Sequence, residues 1–171
     1  ESLEKLAKRT GETVQLCIFD KGKALYIDAI KKSESLIAYA EIGSEFNINL
    51  VAPGMVLAAD LEEKELDNLL KRKKFTKKTK YTINDPDELK KKIKEVAKKG
   101  YAYDNQQFAI GIRCVAAPIY DYNGKVACAL NITGHVSTMT DDRIDDLAKE
   151  VKTAAKKASK RLGYKGLEER A

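Results

Sequence analysis

Hydrophobic and polar positions change their spacing several times along the chain, and each change predicts a different element. Residues 13–19 and 24–30 are rich in β-branched and aromatic side chains and flank an Asp-Lys-Gly-Lys turn, which predicts a β-hairpin. A third strand is predicted over 36–43. A less regular stretch follows it and leads to the Pro-Gly pair at 53–54.

Apolar residues at helical spacing predict helices on both sides of these strands. Pro86 follows Asp85 and precedes two acidic residues, which favours a helix start with a side-chain cap. Gly100 favours the end of the same helix. The other predicted helices are a first one ended by Gly11, a short one beginning at 53, one over 62–73, and a last one from Thr140 to Gly163.

The remaining segments predict three more strands. Residues 101–107 have strand character, and 111–134 contains two apolar runs around an Asn-Gly pair. The element order is therefore α, β-β-β, α-α-α, β-β-β, α. Consecutive strands joined by short turns favour an antiparallel sheet with helices packed on it, which is an α+β fold. The length of 171 residues suits one domain, 1–171.

The Asn-Gly pair at 123–124 favours a two-residue type I′ turn, and this turn sets the pairing of the strands around it. In that register Cys114 lies opposite Thr133, and Ala116 lies opposite Asn131. A slip of the turn by one residue places Cys114 opposite Asn131 instead. Because side chains alternate across a strand, both registers put the same residues on one face of the hairpin.

The two faces of this hairpin differ in character. One face is apolar and suits burial under helices: Val115, Ala117, Ile119, Val126, Cys128, Leu130 and Ile132. The other face is small and partly polar: Cys114, Ala116, Ala129, Asn131 and Thr133. Small side chains leave room for a ligand, and an amide and a hydroxyl offer it hydrogen bonds. The alternative is that a loop packs close to these small residues and bonds Asn131 and Thr133 through its backbone.

Charge is spread unevenly along a chain whose net charge is +6. Residues 71–99 hold 13 Lys and Arg but only 4 Asp and Glu. This pattern is typical either of a phosphate-binding patch or of solvated helix faces joined by a loop.

The positions of cysteine and histidine argue against a disulfide-rich protein and against a zinc protein. Cys17, Cys114 and Cys128 lie far apart in apolar segments, which favours reduced core residues in a cytoplasmic protein over a disulfide framework. His135 is the one histidine, so a zinc site has few ligands available and we expect no metal. No apolar run approaches the roughly 18 residues of a membrane span, and we expect no membrane association.

Seven short motifs carry a wider likeness: R-T-G-E-T-V-Q-L (9–16), L-Y-I-D (25–28), I-G-S (42–44), K-K-G-Y-A-Y-D-N (98–105), G-I-R-C-V-A-A-P-I-Y-D (111–121), A-L-N-I-T-G (129–134) and L-G-Y (162–164). The G-x-R-C-x-A-A-P run, with an Asp ten residues before its Cys, is quite specific. Over nearly all of residues 1–163 the chain resembles the C-terminal effector-binding domain of IclR-family transcriptional regulators.

The resemblance implies a GAF-like fold, in which a six-stranded antiparallel sheet has helices packed on one face and a ligand pocket on the other. It implies a winged helix-turn-helix domain that binds operator DNA and is absent from this chain, which starts without Met in what looks like mid-helix. It also implies a homodimer or tetramer and a small metabolite effector, such as a carboxylate or a neutral or aromatic compound. It implies no catalytic residue and no cofactor.

The resemblance also implies a set of effector-site residues: Ala52, Pro53, Gly54, Asp104, Cys114, Asn131 and Thr133. Asn131 and Thr133 are expected to bond polar atoms of the effector. Asp104 is expected to accept from a donor or to orient a neighbour, and Cys114 to supply a soft wall. Tyr39, Tyr101 and Tyr103 lie near these segments. They either line the pocket or are core or interface aromatics, and the second role is favoured.

The chain departs from the family pattern at this site. Val51 has no hydroxyl with which to cap a helix, and Pro53 has no N–H to offer an anion. Asn131 replaces the usual Ser, and Gln106 and Gln107 replace an acidic pair. These differences favour a neutral or more apolar ligand over a small carboxylate such as a 2-oxo acid.

Three other functions stay open on sequence alone. The domain could be degenerate and serve only dimerisation. Cys114 could be the nucleophile of an enzyme, although His135 is the only histidine available as its base. The basic segment 71–99 could bind nucleic acid directly.

Overall fold

Six strands form an antiparallel sheet at the centre of the protein, for which a computed structural model describes residues 2–31 and 40–166. The strands are β1 (Thr13–Asp20), β2 (Lys23–Ile30), β3 (Glu45–Asn47), β4 (Ala102–Asn105), β5 (Ile112–Tyr120) and β6 (Val126–His135). Their order across the sheet is β3-β2-β1-β6-β5-β4, so β1 and β6 lie side by side in the middle. The six-stranded antiparallel sheet is therefore confirmed.

The helices are α1 (Ser2–Thr10), α2 (Ala52–Ala58), α3 (Glu63–Arg72), α4 (Pro86–Lys99) and α5 (Ile144–Arg161), the last preceded by a 3₁₀ turn at Asp141–Arg143. Asp85 caps α4 as predicted, because its carboxylate accepts from the Glu88 N–H at 2.9 Å. The α+β class is confirmed. None of the helices in the described part of the chain is both long and apolar enough to cross a membrane.

Helices cover both faces of the sheet, whereas the resemblance implied helices on one face only. The face with Val115, Leu130 and Ile132 packs against α1 and α5 and forms one core, as predicted for the apolar face of the hairpin. The face with Cys114 and Ala116 packs against α2, which in turn contacts α4. The small side chains of this second face leave the space that α2 occupies.

The β5–β6 hairpin has the predicted register at the candidate site but a different turn. Cys114 pairs with Thr133, and Ala116 pairs with Asn131. The residue at 123 lacks the positive φ of a type I′ turn, and the loop between the paired residues 121 and 125 holds one residue more than predicted. A bulge in the pairing beyond Ile119 takes up the extra residue, and the predicted register is restored before the site.

The third strand lies later in the chain than predicted. Of the predicted strand 36–43, residues 36–39 lie outside the described residues, and 40–43 lead into a turn. The Ser44 N–H donates to the Glu41 carbonyl at 3.0 Å, and Gly43 adopts φ of 91°. This turn delays the strand, so that β3 comprises only three residues and pairs with the edge of β2.

Candidate functional site

Cross-strand pairing aligns the predicted site residues across four neighbouring strands. One row consists of Thr13, Thr133, Cys114 and Asp104, from β1, β6, β5 and β4. The next row consists of Gln15, Asn131, Ala116 and Ala102. Residues two positions apart in a strand point to the same side. These eight side chains therefore form one continuous surface, which we call the site face.

Asn131 lies at the centre of the site face and is fully buried, with 0% of its surface exposed. Its amide nitrogen lies 3.2 Å from Gln15 Oε1, 3.1 Å from the Thr133 hydroxyl and 3.4 Å from Cys114 Sγ. Its amide oxygen accepts from the Cys17 thiol at 3.6 Å. A buried amide needs such partners. Asn131 finds them in side chains of β1, β5 and β6 and not in a loop backbone, so the loop-bonding alternative is wrong for this residue.

Thr133 and Gln15 complete this polar network. The Thr133 hydroxyl lies 3.2 Å from Gln15 Oε1 and 3.4 Å from Cys114 Sγ. Gln15 also donates from Nε2 to the Ala40 carbonyl at 3.0 Å. Thr133 is partly exposed, whereas Asn131 is buried. The network therefore runs from the buried centre of the site face to its rim and onto the segment that begins at Ala40.

The first turn of α2 lies against the thiol of Cys114. The Ala52 N–H donates to Cys114 Sγ. Pro53 has no N–H, and the Gly54 N–H donates back to the Val51 carbonyl at 3.0 Å. Val51 supplies no side-chain cap, as its apolar side chain predicted. These first three helical residues leave no backbone donor free for an anionic ligand.

Gly54, which was predicted to contact the ligand, serves close packing in the structure. A Cβ atom at this position would lie 2.6 Å from the Cα of Ile48 and 2.9 Å from its carbonyl oxygen. Only glycine permits so close an approach of two backbones. Gly54 therefore sets how near α2 can come to the segment that follows β3.

Asp104 places a carboxyl group at the β4 end of the site face. Only 2% of its surface is exposed, and burial raises its pKa from 3.8 to about 7. The carboxylate accepts from the Gln107 N–H at 2.7 Å, which offsets only part of the effect of burial. Hydroxyls of Thr79 and Thr82 hold the same turn through the carbonyls of 106 and 107. Near neutral pH, Asp104 can thus offer either an acceptor or a donor.

The thiols of the site are poorly suited to nucleophilic chemistry. Burial raises the pKa of Cys114 to about 12, with Asp104 as the second cause, and burial also raises the pKa of Cys17. A cysteine nucleophile needs a base within hydrogen-bond reach. His135 instead pairs with the Ser137 hydroxyl at 2.8 Å on an exposed turn. The site can therefore recognise polar groups but does not activate its thiols.

The structure brings together four predicted side chains, Asp104, Cys114, Asn131 and Thr133, and places the Ala52 backbone beside them. Sequence analysis missed three further side chains of the site: Gln15, Cys17 and Tyr26. Tyr26 is almost fully buried, and its hydroxyl hydrogen-bonds with the Cys17 thiol. The alternation of positions 13, 15 and 17 did indicate that these residues share one face of β1. The sequence contained no signal that β1 lies next to β6.

Two of the three candidate tyrosines are core aromatics, which is the role favoured for them over a pocket lining. Tyr101 and Tyr103 pack beside the core under α1 and α5, on the opposite face of the sheet. There the Lys152 ammonium lies 5.7 Å from the centre of the Tyr101 ring. The third member, Tyr39, lies outside the described residues.

The basic segment 71–99 contributes α4, the end of α3 and the connection between them. Most of its lysines are exposed. Lys90 and Lys94 pair with Glu63 at 3.4 and 2.8 Å, and Lys78 lies 4.6 Å from the centre of the Phe108 ring. These contacts favour the interpretation of solvated faces.

Comparison with known families identifies the fold. The family model for the C-terminal domain of the bacterial transcriptional regulator IclR matches residues 1–160. The chain belongs to the IclR C-terminal family. The matched residues include all six strands of the described sheet and almost all of α5. The resemblance inferred from the motifs is therefore confirmed.

Curated relatives of this IclR-family chain are transcriptional regulators. The chain is 34% identical to the acetate operon repressor of Salmonella typhimurium over 166 residues, which cover 96% of the chain and 60% of that protein. It is 32% identical to the HTH-type transcriptional regulator XynR of Escherichia coli, over 95% of the chain and 64% of that protein. The chain thus spans less than two thirds of the length of these relatives. Each of these two relatives is named as a regulator of transcription.

Solved structures of IclR-family proteins share the fold. The crystal structure of Thermotoga maritima IclR matches 95% of this chain and 66% of its own length, with a TM-score of 0.89 and 35% identity. The C-terminal domain of Escherichia coli KdgR matches 95% of this chain and 94% of its own length, with a TM-score of 0.85 and 28% identity. The second of these is a structure of a C-terminal domain.

Proposed function

We propose that this chain is the ligand-sensing domain of an IclR-family transcriptional regulator and that its effector binds at the partly exposed rim of the site face, next to the first turn of α2. The observation that carries the proposal is the polar network of Gln15, Asn131, Thr133 and Cys114, which lies beside the small apolar residues Ala102 and Ala116 of the site face. Sites for small molecules combine apolar walls with a few polar groups that fix orientation. The effector would replace side-chain partners of this network with its own polar atoms.

The electrostatics of the site favour a neutral or protonated ligand. Asp104 brings a carboxyl group into the site, and the first turn of α2 has no backbone donor free. Arg113, the cation next to Cys114 in sequence, points to the other face, where it lies 3.0 Å from Asn105 Oδ1 and 2.6 Å from an Asp141 oxygen. We infer an effector with an aromatic or aliphatic body and one or two hydroxyl or carbonyl groups.

Two solved structures of the same fold hold hydroxybenzoates. One is an IclR homologue from Microbacterium hydrocarbonoxydans in complex with 4-hydroxybenzoate, at 17% identity. The other is the inducer-binding domain of PobR from Acinetobacter in complex with 3-hydroxybenzoic acid, at 16% identity. At these identities the two complexes support the fold alone. They therefore justify including hydroxybenzoates in a screen, but they do not name the effector of this chain.

The remaining parts of the proposal concern the whole regulator. We infer that a winged helix-turn-helix domain outside this chain binds operator DNA, and that the protein works in the cytoplasm as a dimer or tetramer. Effector binding would favour one arrangement of the subunits over another. Gln15 offers a physical link, because it bonds both the site face and the Ala40 carbonyl. A ligand that hydrogen-bonds the Gln15 side chain in place of its present partners would thus also release the segment beginning at Ala40.

A thermal-shift screen tests the effector site. Hydroxybenzoates, neutral aromatic alcohols and small 2-oxo acids would each be added to the chain. A ligand at about 100 times its Kd stabilises the folded state by about 2.7 kcal/mol, which corresponds to a rise in Tm of roughly 5–10 °C. We expect hits among neutral and protonated compounds. The rise should be abolished by Thr133→Val, since Thr133 is the partly exposed member of the network.

A matched control separates site loss from general damage. Thr153→Val makes the same chemical change on the exposed side of α5, so it should keep the full ligand shift. A ligand shift that survives both Thr133→Val and Asn131→Leu would overturn the site. If no compound class shifts the Tm while the chain still forms stable dimers, the dimerisation-only function is favoured instead.

A further inference from the structure

A groove lined by lysines lies on the side of the sheet opposite the site face. Its volume is about 720 Å³, and it is bounded by α5, the outer end of β5 and the turn that follows α5. Its charged lining residues are Lys149, Lys152, Lys156, Lys160 and Lys165, and no Asp or Glu lines it. We call this feature the lysine groove.

Helical spacing aligns four of these lysines in one stripe. Lys149, Lys152, Lys156 and Lys160 are three or four residues apart, so they share one side of α5. At 1.5 Å per residue the stripe is about 16 Å long. Lys156 and Lys160 are exposed, and their side-chain ammonium groups make no hydrogen bond or ion pair with any residue of 2–31 or 40–166. Positive charge is therefore concentrated along a concave surface, which strengthens its field.

The floor of the lysine groove is a strand edge that cannot accept another strand. The pairing of β4 with β5 ends at Ala102 and Ala116, so the outer part of β5 has no partner on that side. Pro118 has no N–H, and the Tyr120 N–H donates to Ser159 Oγ at 2.9 Å. A peptide that adds as a strand needs free backbone donors. The groove therefore suits a partner recognised by its charge and not by its backbone.

The far end of the groove is held in place by aromatic stacking. The rings of Tyr120 and Tyr164 lie 4.9 Å apart at an angle of 28°. This contact anchors the turn after α5 to β5, and it places Lys165 beside the stripe.

Within the stripe, Lys149 pairs with Asp146 at 2.9 Å and Lys152 donates to the Lys99 carbonyl at 3.1 Å. Lys156 and Lys160 therefore carry the ammonium groups most available to a partner.

We propose that the lysine groove binds the phosphate backbone of double-stranded DNA without reading its sequence. A duplex carries one phosphate per 3.4 Å of each strand, so a stripe of about 16 Å faces four or five phosphates of one strand. A compact triphosphate is shorter than this stripe. Lysine contacts to phosphates position a protein on DNA but carry no base information. The groove lies away from the site face, so this proposal and the effector proposal can fail separately.

Fluorescence anisotropy with the chain and a labelled duplex of about 30 base pairs of arbitrary sequence tests the proposal. The chain should bind at about 50 mM salt, and log Kobs should fall with log salt at a slope near −3, as expected for three to four phosphate contacts. Lys156→Glu combined with Lys160→Glu should weaken binding at least about ten-fold and make the slope shallower by about two. Both positions are exposed, so circular dichroism should show an unchanged fold.

A charge-matched variant gives the control. Lys91→Glu combined with Lys98→Glu changes the net charge by the same amount on the exposed side of α4, within the basic segment 71–99. This variant should keep duplex affinity within about three-fold. Equal losses in both double variants would show that net charge alone is responsible and would overturn the proposal. It would also be overturned if no binding occurs at about 50 mM salt, or if poly-glutamate displaces the duplex at equal charge concentration.

Discussion

Asp104 gives the free energy of unfolding a pH dependence that can be derived from its burial. In the folded state its pKa is about 7, whereas the ordinary value is 3.8. Between these pH values the folded chain holds a proton that the unfolded chain has released. The contribution of this group is therefore fully present below about pH 4 and is lost as the pH rises towards 7.

Replacing Asp104→Asn should flatten this dependence, because Asn does not ionise. Between pH 5 and pH 8 the wild-type chain should lose on the order of 2–3 kcal/mol more of its unfolding free energy than the variant. Urea denaturation at the two pH values measures both quantities. Asp87→Asn, at an exposed position in α4, should leave the wild-type dependence in place. Parallel wild-type and Asp104→Asn curves would show that Asp104 does not hold its proton.

Gly54 tests the close packing of α2. We expect Gly54→Ala to lower the unfolding free energy by at least about 1–3 kcal/mol, because the added methyl meets the backbone of Ile48, which cannot turn away. Chemical denaturation measures the change. Ala97→Leu adds more volume at an exposed position of α4 and should stay within about 0.5 kcal/mol of wild type. A Gly54→Ala variant as stable as wild type would mean that α2 lies farther from this segment.

At the residue scale, the sequence predicts the site where its chemistry stays within one hairpin. Cys114, Asn131 and Thr133 followed from alternation along two adjacent strands. Gln15 could not be predicted in the same way, because its role depends on the pairing of β1 with β6, more than 100 residues away in the chain. Gly54 was assigned to the ligand by resemblance, whereas its role follows from the distance between two backbones.

At the scale of elements, the predicted register of the β5–β6 hairpin is correct at the candidate site although the predicted turn is wrong. The Asn-Gly pair predicted a two-residue loop, and the structure has a longer loop and a bulge whose effects cancel before the site. Asp121 explains the choice of turn, because its carboxylate accepts from the Asn123 N–H at 2.8 Å and from the Lys125 N–H at 3.0 Å. Such local side-chain bonds compete with the regular hairpin.

Substitutions of Asp121 and Asn123 distinguish the observed loop from the predicted type I′ turn, because each turn depends on a different one of these residues. Asp121→Ala should destabilise the chain by about 1 kcal/mol or more, because two backbone donors lose their acceptor. Asn123→Ala should change the unfolding free energy by no more than about 0.5 kcal/mol, because Asn123 does not adopt a positive φ. Thermal or urea denaturation of both variants distinguishes these cases. A large loss in Asn123→Ala and none in Asp121→Ala would favour the type I′ turn after all.

At the scale of the whole molecule, the sheet separates two cores and has a different proposed site on each side. The proposed effector site faces the core with α2, and the lysine groove borders the core with α5. The α+β class followed from element order, but the strand order did not, because pairing between distant strands has no local signal. That same distant pairing places β1 and β6, which contribute most of the polar network, in the middle of the sheet.

Native-state hydrogen exchange should follow this arrangement. Amides of β1 and β6 have neighbours on both sides and helices over both faces, so they should exchange slowest, near the limit set by global unfolding. Amides of β3 and β4 lie in edge strands and should exchange faster. A bound effector that takes Gln15 as its partner should lower protection at the segment beginning at Ala40, which Gln15 ties to the network, more than at β3. Exchange in β4 as slow as in β6 would contradict this order of stability. A ligand-induced change in protection that is confined to α5 would place the ligand on the side of the sheet opposite the site face and would contradict the proposed effector site.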